Sequence, residues 1–364
     1  MSEPDPSRPS GAGPGGRLHV VHLLRTANFA GVERYVSYLA PVQVEQGLEV
    51  TVIGGDARRM QSAFEGTGVN HRPSGGFAHD LRVLTHARPD LVHAHMTDAE
   101  VASVLTKAHH QAPVVATMHF ARPRGRNRLL RRLWALLPAR LDAQIAISAF
   151  VAEASGEVDA TVILNGVPWD QPEVEREPVV LVAQRLEPEK NTATALRAWA
   201  ASGLGDRGWR LVVAGEGKER AALDALAHEL EIGSSVEFVG TVDDMPIRLA
   251  RAGAFLATAT AEPFGLSVVE AMAAGTPVVA TATGGHRETA GRVSSDRLFA
   301  PGDADAAATI LIELAGDPAK RAAYGEALRH HYRAELTIEH HAARVHEVYR
   351  GLTGPARPGP PRLP

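Results

Sequence analysis

The chain has 364 residues, enough for two domains that each bury a core of their own. With 42 acidic against 38 basic residues its net charge is −4, which lacks the basic excess of a general nucleic-acid binder. It has no cysteine, so disulfides, thiolate metal sites and a catalytic thiol are excluded.

Residues 1–16, MSEPDPSRPSGAGPGG, hold no apolar stretch of signal-peptide kind, and no run of eighteen apolar residues predicts a membrane span. A cytoplasmic location is expected. Residues 1–16 and 353–364 are rich in Pro and Gly and too poor in apolar surface to offset ordering entropy, and they read as disordered tails.

Between these ends, short apolar runs alternate with amphipathic segments. LHVVHLL (18–24), LEVTVIG (48–54), LVHAHM (91–96), PVVATMH (113–119) and AQIAIS (143–148) read as buried strands. Helical patterns cover 31–45, 98–109 and 128–137, and Pro41 predicts a kink or break in the first. Strands this apolar, separated by helices, imply parallel sheets covered on both faces. The stretch 121–140 carries Arg122, Arg124, Arg126, Arg128, Arg131 and Arg132 ahead of LWALLP. It fits a solvated basic face, a grip on an anionic soluble acceptor, or peripheral contact with an anionic inner-membrane surface. The short helix and negative net charge weigh against the membrane.

The alternation stops at the acidic, turn-rich ILNGVPWDQPEVEREP (163–178), then resumes with VVLVAQ (179–184), WRLVVAG (209–215), VEFVG (236–240), AFLATA (254–259) and TPVVAT (276–281). We expect domains over 17–168 and 169–336, followed by a helix over 337–352 with Ile338, Ala342, Val345 and Val348/Tyr349 on one face. Ligands of such sheets bind at the carboxyl ends of the strands.

The most informative run is AEPFGLSVVEAMAAGTPVVAT (261–281). Pro263, Phe264 and Gly265 predict a turn, Ser267 a cap for a helix over 268–274, and Gly275 its end. Glu270 then falls in the first turn, with Glu262 on the loop before it. The amides of Phe264, Gly265 and Leu266 are expected to meet a polyhydroxylated, anionic ligand at the positive end of that helix. Read alone, the two glutamates fit a solvated helix start equally well. In AQRLEPEKN (183–191), Arg185 and Lys190 sit on one loop at a strand's carboxyl end, where a fork-shaped and a compact cation can neutralise a diphosphate. LVVAGEGKERAAL (211–223) has Gly215 and Gly217 but no complete G-x-G-x-x-G, so Glu216 and its neighbours are only weak candidates for a nucleotide pocket. The loop 240–245 is expected to meet the base, and Asp243-Asp244 reads as a helix cap before Pro246 in preference to a metal pair. His109-His110, His330-His331 and His340-His341 show no metal spacing and read as surface residues.

This spacing, with EAMAAGTPVV after it, resembles the EX7E region of family 4 retaining glycosyltransferases of the GT-B fold. AGVE (30–33), VHAH (92–95), TMH (117–119), ILNGV (163–167), AQRLEPEKN, LVVAGEGKERAAL, VEFVG and TGGHRE (283–288) match the family in order along nearly the whole chain. The resemblance implies two Rossmann-like, doubly wound domains facing a cleft, with the last helix crossing back to the first domain. It implies a nucleotide-sugar donor, UDP-linked by default, and no metal or other cofactor, because Arg185 and Lys190 serve the diphosphate. Glu270 would hold the donor ribose. Glu262 would stabilise positive charge on the transferred hexose, its role as a nucleophile left open. Gly31 would admit the donor phosphate, although Ala30 replaces the first of the family's paired glycines, which is tolerable only at negative φ. His119 would meet the donor sugar, and His95 would orient neighbouring loops. The acceptor stays open between a sugar, a lipid-linked and a small molecule. The alternatives are a nucleotide-sugar epimerase of similar fold and a non-catalytic nucleotide-sugar-binding partner.

Overall fold

The computed structural model describes residues 17–27, 29–123, 136–157, 159–170 and 174–354. Arg124, Arg126, Arg128, Arg131 and Arg132, the helix expected over 128–137 up to position 135, the leading tail and positions 355–364 lie outside the described residues. Two compact units divide the chain. Unit 1 takes the residues up to Ala146, Ala154–Ile163 and those from His341 on; unit 2 takes Ile147–Glu153 and Leu164–His340.

Unit 1 is built on strands β1 (His19–Leu23), β2 (Glu49–Ile53), β3 (Asn70–Arg72), β4 (Leu91–His95), β5 (Val114–Met118), β6 (Ala143–Ala146) and β7 (Thr161–Val162). They pair in the order β3-β2-β1-β4-β5-β6-β7, every pair parallel. Every residue of β1, β4 and β5 is buried, as expected where helices cover both faces. Val21, Leu23, Ile53, Val92 and Val114 form one core cluster with Leu84, Ala99 and Ala102 from the covering helices. Each buried Val, Leu or Ile stabilises by about 1.5–3 kcal/mol.

The helix Gly31–Glu45 runs without a break through Pro41. Tyr35, Val36, Leu39, Ala40 and Gln43 are buried on both sides of the proline, so packing outweighs the one lost backbone bond. The strands β3 and β7 were not read from the sequence, because two or three residues carry no period.

Unit 2 repeats the plan with β8 (Glu177–Ala183), β9 (Arg210–Ala214), β10 (Val236–Gly240), β11 (Ala252–Ala257), β12 (Val278–Thr281) and β13 (Leu298–Phe299), ordered β10-β9-β8-β11-β12-β13 and all parallel. In each sheet the chain reverses direction of travel once, between β1 and β4 and between β8 and β11. Such reversals are where open parallel sheets leave a crevice for ligands. Asp303 and Asp317 cap the helices Ala304–Gly316 and Pro318–Glu335 by accepting from Ala306 N and Lys320 N. Asp244 occupies the cap position of Met245–Arg251, but its carboxylate turns to Arg248 Nε at 2.7 Å and bonds no helix amide, so the expected side-chain cap is not made.

The last helix, Ile338–Thr353, buries Ile338, Ala342, Val345 and Tyr349, and from His341 on it belongs to unit 1. Among the described residues no helix is long and apolar enough to cross a membrane.

Candidate active site

In unit 2 the residues singled out above gather at the β8/β11 reversal. The loop after β8 is stapled in place from below. The Gln184 amide donates to Lys190 O at 3.0 Å, Thr192 Oγ1 at 2.9 Å and Thr258 Oγ1 at 3.1 Å, and the Thr258 hydroxyl donates to Lys190 O at 2.9 Å. Thr260 N donates to Glu189 O, so the loop after β11 is tied to the same segment. These bonds bring Lys190 Nζ to 2.5 Å from Glu262 Oε2, both side chains largely buried. Arg185 instead pairs with Glu189 at 2.7 Å, both well exposed, a contact worth ~1 kcal/mol or less.

Two close approaches depend on glycine. A Cβ on Gly215, whose φ is +135°, would lie 1.9 Å from Gln184 O, and one on Gly217 would lie 2.2 Å from Leu186 O. The turn after β9 can therefore pass over the β8 loop only without side chains at these positions. Likewise Gly285 N donates to Glu262 O at 2.9 Å, and a Cβ on Gly284 would meet that oxygen at 2.1 Å. The TGGHRE segment thus clamps the backbone that carries Glu262.

Gly265, at φ +91° and ψ +61°, precedes the helix Leu266–Ala273. The helix starts two residues earlier than expected, so Ser267 lies inside it as no cap and Glu270 falls in the second turn. The reason is the left-handed glycine, whose carbonyl accepts from Val268 N and Val269 N and so closes the first turn. Glu270 is buried, as is the Phe264 side chain. Gly275, at φ +65°, ends the helix as predicted, with Gly275 N donating to Met272 O and Thr276 N to Ala271 O.

The segment 147–153 also supports this loop. Ser148 Oγ donates to Pro263 O at 2.7 Å, and the Glu288 carboxylate accepts from Ala149 N at 2.7 Å and Phe150 N at 2.8 Å. Two further clefts of unit 2, about 180 and 640 Å³, are lined by Glu177, Arg210 and Asp244 and by Arg176, Arg329 and Tyr332. Neither is lined by Arg185, Lys190, Glu262 or Glu270.

In unit 1, Gly31 is the first residue of its helix, and a Cβ there would meet nothing within 4 Å. Ala30 has φ −130°, so alanine is free of strain at this position. Glu33 accepts from Ala30 N at 2.8 Å and from the Thr26 hydroxyl, which fixes the loop entering the helix.

His119 follows β5 and opens onto a buried cluster. Its Nε2 lies 3.1 Å from His95 Nδ1, and His95 Nε2 lies 3.0 Å from His22 Nδ1. His22 Nε2 meets Gln43 Oε1 at 2.7 Å, and His93 joins Tyr349 and Thr117, both at 2.6 Å. Burial pushes His22 down to about 4 and His119 to about 3, and lowers His93 and His95 further below the usual imidazole value, so all four are neutral at pH 7. Ring nitrogens of His22, His93 and His95 come within 4.8 Å of one another. His110 and His341, expected on the surface, are buried, and His331 is partly so. Adjacent helix positions face different ways, which turns one of each pair inward.

Residues 167–331 match the model of the glycosyl transferases group 1, and residues 29–171 match that of glycosyltransferase family 4. A glycogen synthase of Mycobacterium tuberculosis is 30% identical across 76% of this chain and 72% of its own. The chain belongs to the group 1, family 4 glycosyltransferases. This glycosyltransferase is also similar to the phosphatidyl-myo-inositol mannosyltransferase of Mycolicibacterium smegmatis, 27% identical over 94% of this chain and 91% of the other. The crystal structure of Anabaena HepE in complex with UDP-glucose superposes with a TM-score of 0.79, covering 92% of this chain and 100% of that one at 20% identity, which supports the GT-B fold.

Of the sequence-predicted positions in this enzyme, Lys190 and Glu262 touch each other. Arg185, Gly215, Phe264, Gly265, Leu266 and Glu270 lie on the same or adjoining loops and helix, and Gly31 and His119 belong to the other unit. His286 was not singled out. It is buried, its Nδ1 held by Thr281 and its ring beside Gly265, so its protonation is disfavoured first by burial and partly restored by the charge of the Glu262 carboxylate. The signal available was its place in TGGHRE.

Proposed function

We propose that this glycosyltransferase moves a hexose from a UDP-sugar to an acceptor hydroxyl, with retained anomeric configuration and without a metal ion. The observation that carries this is the Lys190–Glu262 pair at the β8/β11 reversal. A cation and a carboxylate held on stapled loops suit the two charges of the reaction. As the C1–O bond to the diphosphate breaks and the acceptor oxygen bonds to C1, negative charge builds on the leaving phosphate and positive charge on the sugar. Lys190, with Arg185 released from its weak pair, neutralises the first; Glu262 faces the second. The acceptor proton leaves with the diphosphate or passes to solvent.

Glu270 accepts from ribose hydroxyls, and the amides at Phe264, Gly265 and Leu266 donate to donor oxygens. The open space at Gly31 admits a phosphate against backbone, and His119 meets a sugar hydroxyl. That HepE was crystallised with UDP-glucose supports UDP as the base carrier. The names of the relatives, a glycogen synthase and a phosphatidyl-myo-inositol mannosyltransferase, are consistent with a sugar or a lipid-linked acceptor, and a small-molecule acceptor stays open beside them.

The purified chain, incubated with UDP-sugars and a panel of sugar and lipid acceptors, should release UDP and yield product with the donor's anomeric configuration by NMR. Excess EDTA should leave the rate unchanged. An inverted product, or activity lost to EDTA and restored by Mg²⁺ or Mn²⁺, contradicts the proposal.

A further inference from the structure

The buried histidines of unit 1 form one connected wire, and their hydrogens can be counted. Gln43 Oε1 only accepts, so the His22 Nε2 that meets it at 2.7 Å carries a proton and His22 Nδ1 does not. His95 Nε2 must then donate to His22 Nδ1, which leaves His95 Nδ1 as acceptor for His119 Nε2–H. On the other side, Gln43 Nε2 donates to the Tyr349 hydroxyl at 3.2 Å, Tyr349 donates to His93 Nδ1, and His93 Nε2 donates to Thr117 Oγ1. The Tyr35 hydroxyl lies 2.9 Å from His341 Nε2 at the edge of the cluster. Every proton of the wire runs the same way, away from His119 and towards Thr117. The opposite polarity also completes every bond, but only if the Gln43 amide is turned over; a mixture leaves a buried nitrogen unpaired, at about 1–3 kcal/mol.

We propose that Gln43 is a positioning residue for transfer: through His22 and His95 it holds His119 in the Nε2–H tautomer, so that Nδ1 meets the donor sugar as a hydrogen-bond acceptor. This rests on the reading of His119 as a sugar contact. A sugar hydroxyl then donates to His119, and the imidazole offers no proton to the reacting oxygens. Gln43 acts across two intervening rings and touches no ligand. The same bonds occupy the nitrogens of His22, His93 and His95 without recourse to a cation.

The test is the tautomer itself, read from long-range 1H–15N spectra of ¹⁵N-histidine-labelled full-length protein without donor, with His119→Gln assigning the signal. Nε2–H at His119, His95, His22 and His93 is expected. Gln43→Met, checked for folding by circular dichroism, should give His119 mixed tautomers and cut kcat about 10-fold, the worth of one hydrogen bond, with UDP affinity unchanged. An Nδ1–H tautomer at His119 in the wild type overturns the proposal, as does a folded Gln43→Met with wild-type tautomer and kcat. One equivalent of Zn²⁺ retained through gel filtration and lost in His93→Gln would also overturn it, making the cluster a metal centre. If the tautomers are as expected yet His119→Ala turns over normally, the sugar contact is what fails.

Discussion

The buried imidazoles make the fold acid-sensitive by an amount that can be worked out. A histidine whose native pKa lies below its unfolded value of about 6.5 contributes stability in full above that value and loses it as pH falls towards the native pKa. For His22, lowered to about 4 by burial, linkage gives a loss of roughly 2 kcal/mol between pH 7.5 and pH 5. His119, lowered to about 3, loses about the same over that interval. Together they remove on the order of 4 kcal/mol, before His93 and His95 add losses in the same direction. Domains have about 5–15 kcal/mol in all, so unit 1 should approach its unfolding midpoint near pH 5. Urea unfolding at pH 7.5, 6.5, 5.8 and 5.0 should show a transition whose midpoint falls steeply below pH 6.5. Hydrogen exchange in peptides from β1 and β4, corrected for intrinsic rates, should assign it to unit 1. A urea midpoint that stays constant from pH 7.5 to 5 would refute the reasoning, because the histidines would then be hydrated or already charged.

Other expectations follow from the second unit. Glu262→Ala should lower kcat by ~100-fold or more while UDP affinity, measured by calorimetry, stays within a few-fold, since the proposed role of the residue is toward the sugar. Lys190→Met should lower kcat/KM by a comparable ~100-fold, and a rate within threefold of wild type would remove Lys190 from the diphosphate. Gly215→Ala should fold less stably by ~1–3 kcal/mol in urea titrations and bind UDP more weakly, because its Cβ would displace the β8 loop from 1.9 Å. Glu270→Ala should raise the donor KM more than it changes kcat, visible in donor saturation curves.

Much of this molecule could be read from its letters because its strands are buried on both faces. LHVVHLL and PVVATMH stand out against any helical period, and Gly275 marks a helix end on its own. What escaped reading depends on partners far along the chain. Lys190 meets Glu262 across 72 positions, and nothing local to either predicts it. The histidine wire left one trace, the two-residue spacing of His93 and His95, which puts both on one face of a strand. Only the register of β1 against β4, pairing His22 with His93, and the return of Tyr349 and His341 from the last helix turn that trace into a cluster. The helix that carries Glu270 starts two residues ahead of its expected place because a left-handed Gly265 closes the first turn in place of Ser267.

The short segment Ile147–Glu153 has a consequence for anyone who would take the enzyme apart. The chain passes from one unit to the other at 146/147, 153/154, 163/164 and 340/341, so neither unit is a contiguous stretch of sequence. A fragment of 164–340 would keep the Glu288 carboxylate but lose the two amides it caps, and Pro263 would lose the Ser148 hydroxyl that holds its carbonyl. The loop bearing Glu262 would then be held on one side only. Expressing 164–340 alone should yield a protein with a loosened Glu262 loop, whereas a circular permutant that retains 147–153 beside 164–340 keeps the missing brace.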